Sequence, residues 1–122
     1  LSPYISLVEG SSTNPTTLIQ VKSLVPNNAV VLVVLDSDHS KEHVLAELEA
    51  YSPLVTSGSY LVVADGVMQS FSDLSTEDWA WNNPLTAIQE FLAKNTDFEE
   101  VYPGDAKYKA VSYFTHGFLR RK

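Results

Sequence analysis

The stretch AVVLVVLDSDHS, Ala29 to Ser40, decides the fold. Seven consecutive apolar, mostly β-branched residues favour extended backbone. A run without alternation is expected of a central strand covered on both faces. Asp36-Ser37-Asp38-His39 ends it abruptly, and from Ser40 the period becomes helical, with Val44, Leu48, Tyr51 and Val55 at i, i+4, i+7 and i+11. Strand, polar break and helix in that order form the repeating unit of an α/β domain.

The same alternation extends outward. Tyr4 to Val8 reads as a strand ending at Glu9-Gly10. Asn14-Pro15 then supplies an N-cap and a proline at the first helical position. The helix that follows has Leu18, Val21, Leu24 and Val25 on one face, up to Pro26 and the Asn27-Asn28 turn. Tyr60 to Val63 reads as a second buried strand, ending at Ala64-Asp65-Gly66. Residues 67–83 have no clean period and read as a long loop, a length associated with function or disorder. Asn83-Pro84 starts a helix that buries Leu85, Ile88, Phe91 and Leu92. Phe98 to Val101 and Ala110 to Leu119 read as an antiparallel pair across a Pro103-Gly104-Asp105 turn. The expectation is a mainly parallel sheet with a terminal antiparallel pair, in one domain or part of one. Repeats and linkers are absent from the sequence.

Composition narrows the function. With 8 basic and 15 acidic side chains in 122 residues, the net charge is −7. Such a chain releases no counterions from a phosphate backbone, so nucleic acid is not an expected partner. No apolar run approaches the roughly 18–20 residues that cross a bilayer, so no membrane span is expected. The absence of cysteine excludes disulfides, thiolate catalysis and cysteine-based metal sites, and fits a cytoplasmic compartment. The chain starts at Leu1 without an initiator methionine and reads as part of a longer sequence.

In an open parallel sheet, ligands bind beyond the carboxyl ends of the strands. Glu9-Gly10-Ser11-Ser12-Thr13, Asp36-Ser37-Asp38-His39 and Ala64-Asp65-Gly66 should therefore share one rim. Converging carboxylates there can hold a hard divalent cation, although Asp36 and Asp38 also suit helix capping and Asp65 suits a turn. His39 is open to three roles: ligand, base, or solvated helix-start residue. His43 reads as a solvated or packing residue, and no zincin-type pattern is present. Trp79 and Trp81 suit either a lid or hydrophobic anchors. Ser11, Ser12 and Thr13 suit hydrogen bonds to a purine edge or ribose, or an ordinary polar loop.

The runs VVLDSDHSKEHVLAEL (Val33–Leu48) and YSPLVTSGSYLVVAD (Tyr51–Asp65) resemble the cephalosporin hydroxylase and rhamnosyl O-methyltransferase family. EGSSTNP (Glu9–Pro15) and GFLRR (Gly117–Arg121) are similar to it as well. The resemblance covers nearly the whole chain. It implies a Rossmann-like class I methyltransferase fold of which residues 1–122 form the C-terminal half, without the glycine-rich G-x-G loop. It implies S-adenosylmethionine (SAM) as cofactor, with Gly10, Ser12 and Thr13 toward the adenine and Asp36 toward the methionine part. It also implies Mg2+ on Asp38 and Asp65. Ala64 stands where the family commonly has glutamate, and water can replace one such ligand.

The activity implied is methyl transfer to a small-molecule or sugar hydroxyl, with His39 as a candidate base. A half-domain would expose the edge of its Ala29–Leu35 strand and favour pairing with another copy. The alternative reading is a non-catalytic α/β module that assembles through that edge. A hydroxylase reading has little support, because His39, His43 and His116 build no facial iron triad.

Overall fold

In the computed structural model, residues 2–75, 78–102 and 112–122 are described. Asn14 accepts a hydrogen bond from the Thr16 N–H at 2.8 Å and, with Pro15, starts helix α1 (Pro15–Leu24). Strand β1 (Val33–Leu35) leads through the acidic loop into α2 (Lys41–Tyr51) and a 3-10 turn over Ser52–Leu54 that contains Pro53. Strand β2 (Tyr60–Val63) is followed by 3-10 turns over Gly66–Leu74. Helix α3 (Pro84–Lys94) is capped by Asn83 as its sequence predicts, and strands β3 (Phe98–Glu100) and β4 (Phe118–Arg121) complete the chain.

The sheet runs β1-β2-β4-β3. Among the described residues only β1 and β2 are parallel, whereas β2–β4 and β3–β4 are antiparallel. The mainly parallel sheet expected from the sequence is thus a mixed one. A parallel pair needs a crossover, and α2 supplies the one crossover between paired strands. The antiparallel pairing of the last two strands is as expected, with Phe98 opposite Arg121. Strand β4 starts at Phe118, however, and Tyr113–His116, inside the expected Ala110–Leu119 strand, form a turn. The proposed Pro103-Gly104-Asp105 turn and Ala110 lie outside the described residues.

Leu35, Leu61, Val63 and Leu119 face α2 and α3, where they pack with Val44, Leu48, Ala87, Ile88 and Phe91. Phe98 closes one end of this core, its ring centroid 5.6 Å from that of Phe91. The helical spacing of Val44, Leu48, Tyr51 and Val55 is borne out, since all four are buried. Gly117, just before β4, lies tight against the end of β2: Val63 N–H donates to its carbonyl at 2.8 Å, and a Cβ there would collide with the Val63 carbonyl.

Two sequence expectations fail near the start. Residues Tyr4 to Val8 form no strand, and Tyr4, Ile5 and Leu7 lie exposed. The Ala29–Leu35 run yields only three strand residues, at the sheet edge, and Val30, Leu32 and Val34 remain exposed. Thr56 takes up its first part: Val31 N–H donates to Thr56 Oγ1 at 2.8 Å, and that hydroxyl donates to Ala29 O at 3.2 Å. Helix α1 buries Thr17 and rests Leu18 and Val21 on the core, while Leu24 is exposed.

Candidate functional site

Parallel pairing sends the ends of β1 and β2 to the same rim, and the antiparallel β4 begins there. Ala64 N–H donates to Leu35 O at 2.9 Å, which brings the two acidic strand ends together. Asp65 adopts left-handed backbone (φ 59°), a conformation that aspartate tolerates better than most residues. Gly66 follows because the Thr115 carbonyl lies against it, leaving no room for a Cβ.

At this rim His39 sits between two carboxylates. Its Nε2 is 3.0 Å from Asp65 Oδ2 and 3.7 Å from Asp36 Oδ1, and one ligand atom from each of the three lies within 4.8 Å of the others. Among the described residues this is the one such cluster of histidine and acidic side chains. Asp38 is outside it. Its Oδ1 accepts from the Ser40 N–H at 2.8 Å, and the Ser40 hydroxyl and backbone hold its carboxyl below the usual range, with a smaller pull from His43 and His39. Asp38 thus closes a tight turn onto Ser40, the N-cap position of α2, while side-chain atoms of Asp36, His39 and Asp65 come together.

The Gly10–Thr13 segment reaches the rim without a preceding strand. Gly10 has φ 137°, and a Cβ there would meet Thr17 Oγ1 at 2.5 Å. Tyr51 donates its hydroxyl to Ser12 O at 2.9 Å, and Ser12 Oγ is 3.1 Å from His43 Nε2. Thr13 pairs with Ser11 at 3.1 Å and lines a separate hollow with Asp38 and His43.

Behind Asp36 lies a cavity of about 310 Å3, lined among others by Ser12, Ser37, Glu47 and Tyr51. Glu47 is buried. Its Oε1 accepts from Ser37 Oγ at 2.8 Å, and its Oε2 has no hydrogen-bond partner among the described residues. A buried carboxylate oxygen in that condition calls for a donor. Burial, and then the Glu47 charge, push the Tyr51 phenol upward. A second cavity of about 340 Å3 is lined by His39 with Asp38, Ser40, Met68, Trp79 and Asn82. Asn82 Oδ1 accepts from the Lys41 N–H at 2.8 Å, and buried Asn83 donates to Trp79 O at 2.6 Å. The tryptophan loop is thus anchored by the Asn82 side chain and the Trp79 carbonyl, while Trp79 lines the cavity and Trp81 is exposed.

Sequence reading missed Glu47, Ser37 and the role of His43. The available signal was spacing: Glu47 interrupts an apolar helix face one turn after His43, where i and i+4 side chains meet. It also missed Glu100 and Tyr102 beside His116. His116 Nδ1 is 2.7 Å from Glu100 Oε1 and 2.9 Å from the Tyr102 hydroxyl, and the Glu100 hydrogen bond raises the Tyr102 pKa.

Among the described residues no helix is long and apolar enough to cross a membrane. No solved structure gives a significant match. A rhamnosyl O-methyltransferase of Mycobacterium leprae is 32% identical over 128 residues, covering 98% of this chain and 52% of the relative. Rhamnosyl O-methyltransferases of Mycobacterium tuberculosis H37Rv and Mycobacterium bovis BCG are 34% identical over 109 residues, covering 88% of this chain and 40% of theirs. The chain therefore spans about half the length, or less, of these relatives. The model of the family described as rhamnosyl O-methyltransferase/CmcI matches residues 1–122, the whole chain, and this chain belongs to that family.

Proposed function

We propose that this chain forms the cofactor-and-acceptor rim of a SAM-dependent O-methyltransferase whose acceptor is a sugar hydroxyl of the rhamnosyl class. The carrying observation is that the Asp36–His39–Asp65 cluster contributes to two separate cavities: Asp36 lines one and His39 the other. Methyl transfer needs this arrangement, because donor and acceptor enter from different sides and the rate comes chiefly from their alignment.

The residues present fit the nucleoside end of the cofactor. The partnerless Glu47 Oε2 and the hydroxyls of Ser12, Ser37 and Tyr51 offer acceptors and donors for a purine amine or ribose. Gly10, Ser12 and Thr13 remain the adenine-side residues and Asp36 the methionine-side residue of this reading. When bound, SAM supplies an electrophilic methyl group on a sulfonium. A divalent cation, Mg2+ by family resemblance, would bind and acidify the acceptor hydroxyl. Two roles are open to His39 beside it: receiving the hydroxyl proton or ligating the ion. Trp79 and Met68 offer the acceptor cavity a flat apolar wall suited to a sugar face, and Asn82 adds a polar edge. The Rossmann-like order of the complete domain and a cytoplasmic location belong to the same proposal.

The test is calorimetric titration of SAM into the protein as encoded, followed by transfer of labelled methyl from SAM to a rhamnoside. Glu47→Gln should weaken SAM binding with the helical signature intact. A folded protein that binds no SAM would overturn the reading and leave the non-catalytic module.

A further inference from the structure

The apolar run that carries β1 pairs along one edge, and its other edge is open among the described residues. Val31 donates its N–H to Thr56 Oγ1 at 2.8 Å and accepts the Thr56 N–H at 3.2 Å, and Leu35 O accepts from Ala64 N–H at 2.9 Å. Residues 31 and 35 therefore turn their backbone groups to the β2 side, as the period of two in extended chain requires. Val33, between them, is in register with Leu61. Val30, Leu32 and Val34 turn theirs to the open edge, and their side chains lie exposed on the face away from buried Leu35. The cavity of about 310 Å3 beside Val33, Val34 and Leu35 shows that the edge is unfilled at that end. Ala29 to Leu35 holds no lysine, proline or charge, the devices that normally guard an edge strand.

We infer that this edge seats a second copy of the chain, antiparallel, about a two-fold axis through Leu32. In that register Leu32 faces Leu32 of the second copy and Val30 faces its Val34. Every edge residue then joins a hydrogen-bonded pair that exchanges both N–H···O bonds, and the apolar side chains cover one another on the bare face. The chain's charges select this register over its neighbours. Asp36 faces Asn28 of the second copy, so no carboxylate opposes another. A shift toward the acidic loop would set Asp36 against Leu32 and Asp38 against Val30. The opposite shift would set Pro26, which has no N–H, against Val34. Ser37, which holds Glu47 at 2.8 Å, lies beyond the paired stretch, so the pairing stands or falls apart from the methyl-transfer reading. An interface this small belongs to the weak, reversible class, with an expected dissociation constant of about 10–100 μM and a monomer in dilute solution. Each copy carries a net charge of −7, so salt should tighten the pairing.

The experiment is sedimentation equilibrium of the full chain from about 1 μM to about 1 mM, at low salt and in about 0.5 M NaCl. The expected result is a concentration-dependent rise from 13.5 kDa to twice that mass, at lower concentration in salt. Leu32→Lys sets two ammonium groups against each other on the axis and should weaken pairing about 10-fold or more, with circular dichroism unchanged. Cysteine, absent from the chain, reads the register. Leu32→Cys should give a disulfide-linked dimer under mild oxidation, because facing residues of a hydrogen-bonded pair have Cα atoms about 5.5 Å apart. Val30→Cys alone should not, and adding Val34→Cys to it should restore the link. A monomer at about 1 mM, a dimer that Leu32→Lys leaves intact, or a link through Val30→Cys as efficient as through Leu32→Cys would each overturn the inference. A monomer whose Val30, Leu32 and Val34 amides resist hydrogen exchange would also overturn it, and would assign the edge to a segment of the same chain such as Tyr4 to Val8.

Discussion

Strands β1 and β2 are neighbours of nearly the same composition, yet one is buried and the other is half bare. Leu61 and Val63 of β2 are 0% and 1% exposed, whereas Val30 and Val34, on the run that forms β1, are 82% and 56% exposed. The longer apolar run is the less buried. Strand β2 has a hydrogen-bonded neighbour on each edge and α2 and α3 over its face, while among the described residues β1 is paired along one edge only. Burial is a property of partners, and a continuous apolar run states only that partners are wanted.

The sharpest way to break the comparison is to shorten an apolar side chain in each region. Leu61→Ala or Leu48→Ala removes a fully buried side chain and should cost about 2–5 kcal/mol, because transfer and cavity costs add. Leu7→Ala or Val30→Ala should cost less than about 0.5 kcal/mol, as expected of exposed sites. Urea unfolding of the four variants decides it; comparable losses would mean that the early segment is packed in solution.

A second prediction concerns the connection between core and rim. Asn83 is fully buried, accepts from the Thr86 N–H at 3.0 Å and donates to Trp79 O at 2.6 Å. Asn83→Ala should cost about 1–2 kcal/mol, the range for a lost N-cap, and loosen the tryptophan loop. Hydrogen exchange confined to residues near Trp79 and Trp81 would confirm both effects, and an unchanged melting temperature would count against them.

A smaller effect is expected where the early segment touches helix α2. Tyr51→Phe deletes the hydroxyl that holds Ser12 O and should cost about 1 kcal/mol. Its main signature should be faster exchange in the Gly10–Thr13 loop. Glu47→Gln should bring the Tyr51 phenol back toward its ordinary range, because the Glu47 charge is one of the two causes raising it. Spectroscopic titration of Tyr51 reads this directly.

These contrasts show what was legible in the sequence and why. Helices α2 and α3 were readable because periodicity, Asn83-Pro84 and apolar faces all agree, and local signals suffice for a helix. The rim was readable because polar residues followed each strand run. Strand pairing was less readable, because extended segments acquire partners far along the chain, and Tyr4–Val8 has none among the described residues. At the site, Asp65 and His39 were visible in sequence. Which of Asp36 and Asp38 turns toward the Ser40 N–H was not, since that depends on the local turn rather than on residue type.

The smallest predicted effect lies between α2 and α3 and depends on pH. Glu90 on α3 accepts from Lys41 at the start of α2 at 2.9 Å and from Lys94 one turn along α3 at 2.6 Å. The hydrogen bonds to the two lysines, Lys41 first, lower its carboxyl from the ordinary 4.5 to about 2. A carboxylate depressed in the folded state stabilises the fold fully above its unfolded pKa, and that contribution is lost as pH falls through the folded value. The window here runs from about pH 4.5 down to about pH 2. Glu90→Gln should therefore lower the melting temperature slightly at pH 7, and the gap from wild type should close across that window. Because the pair is exposed to solvent, 0.5 M salt should shrink the gap at neutral pH as well. A gap that stays constant from pH 7 to pH 2 would mean that Glu90 contributes packing rather than charge, and that α2 and α3 are held together by Leu48, Ile88 and Phe91 alone.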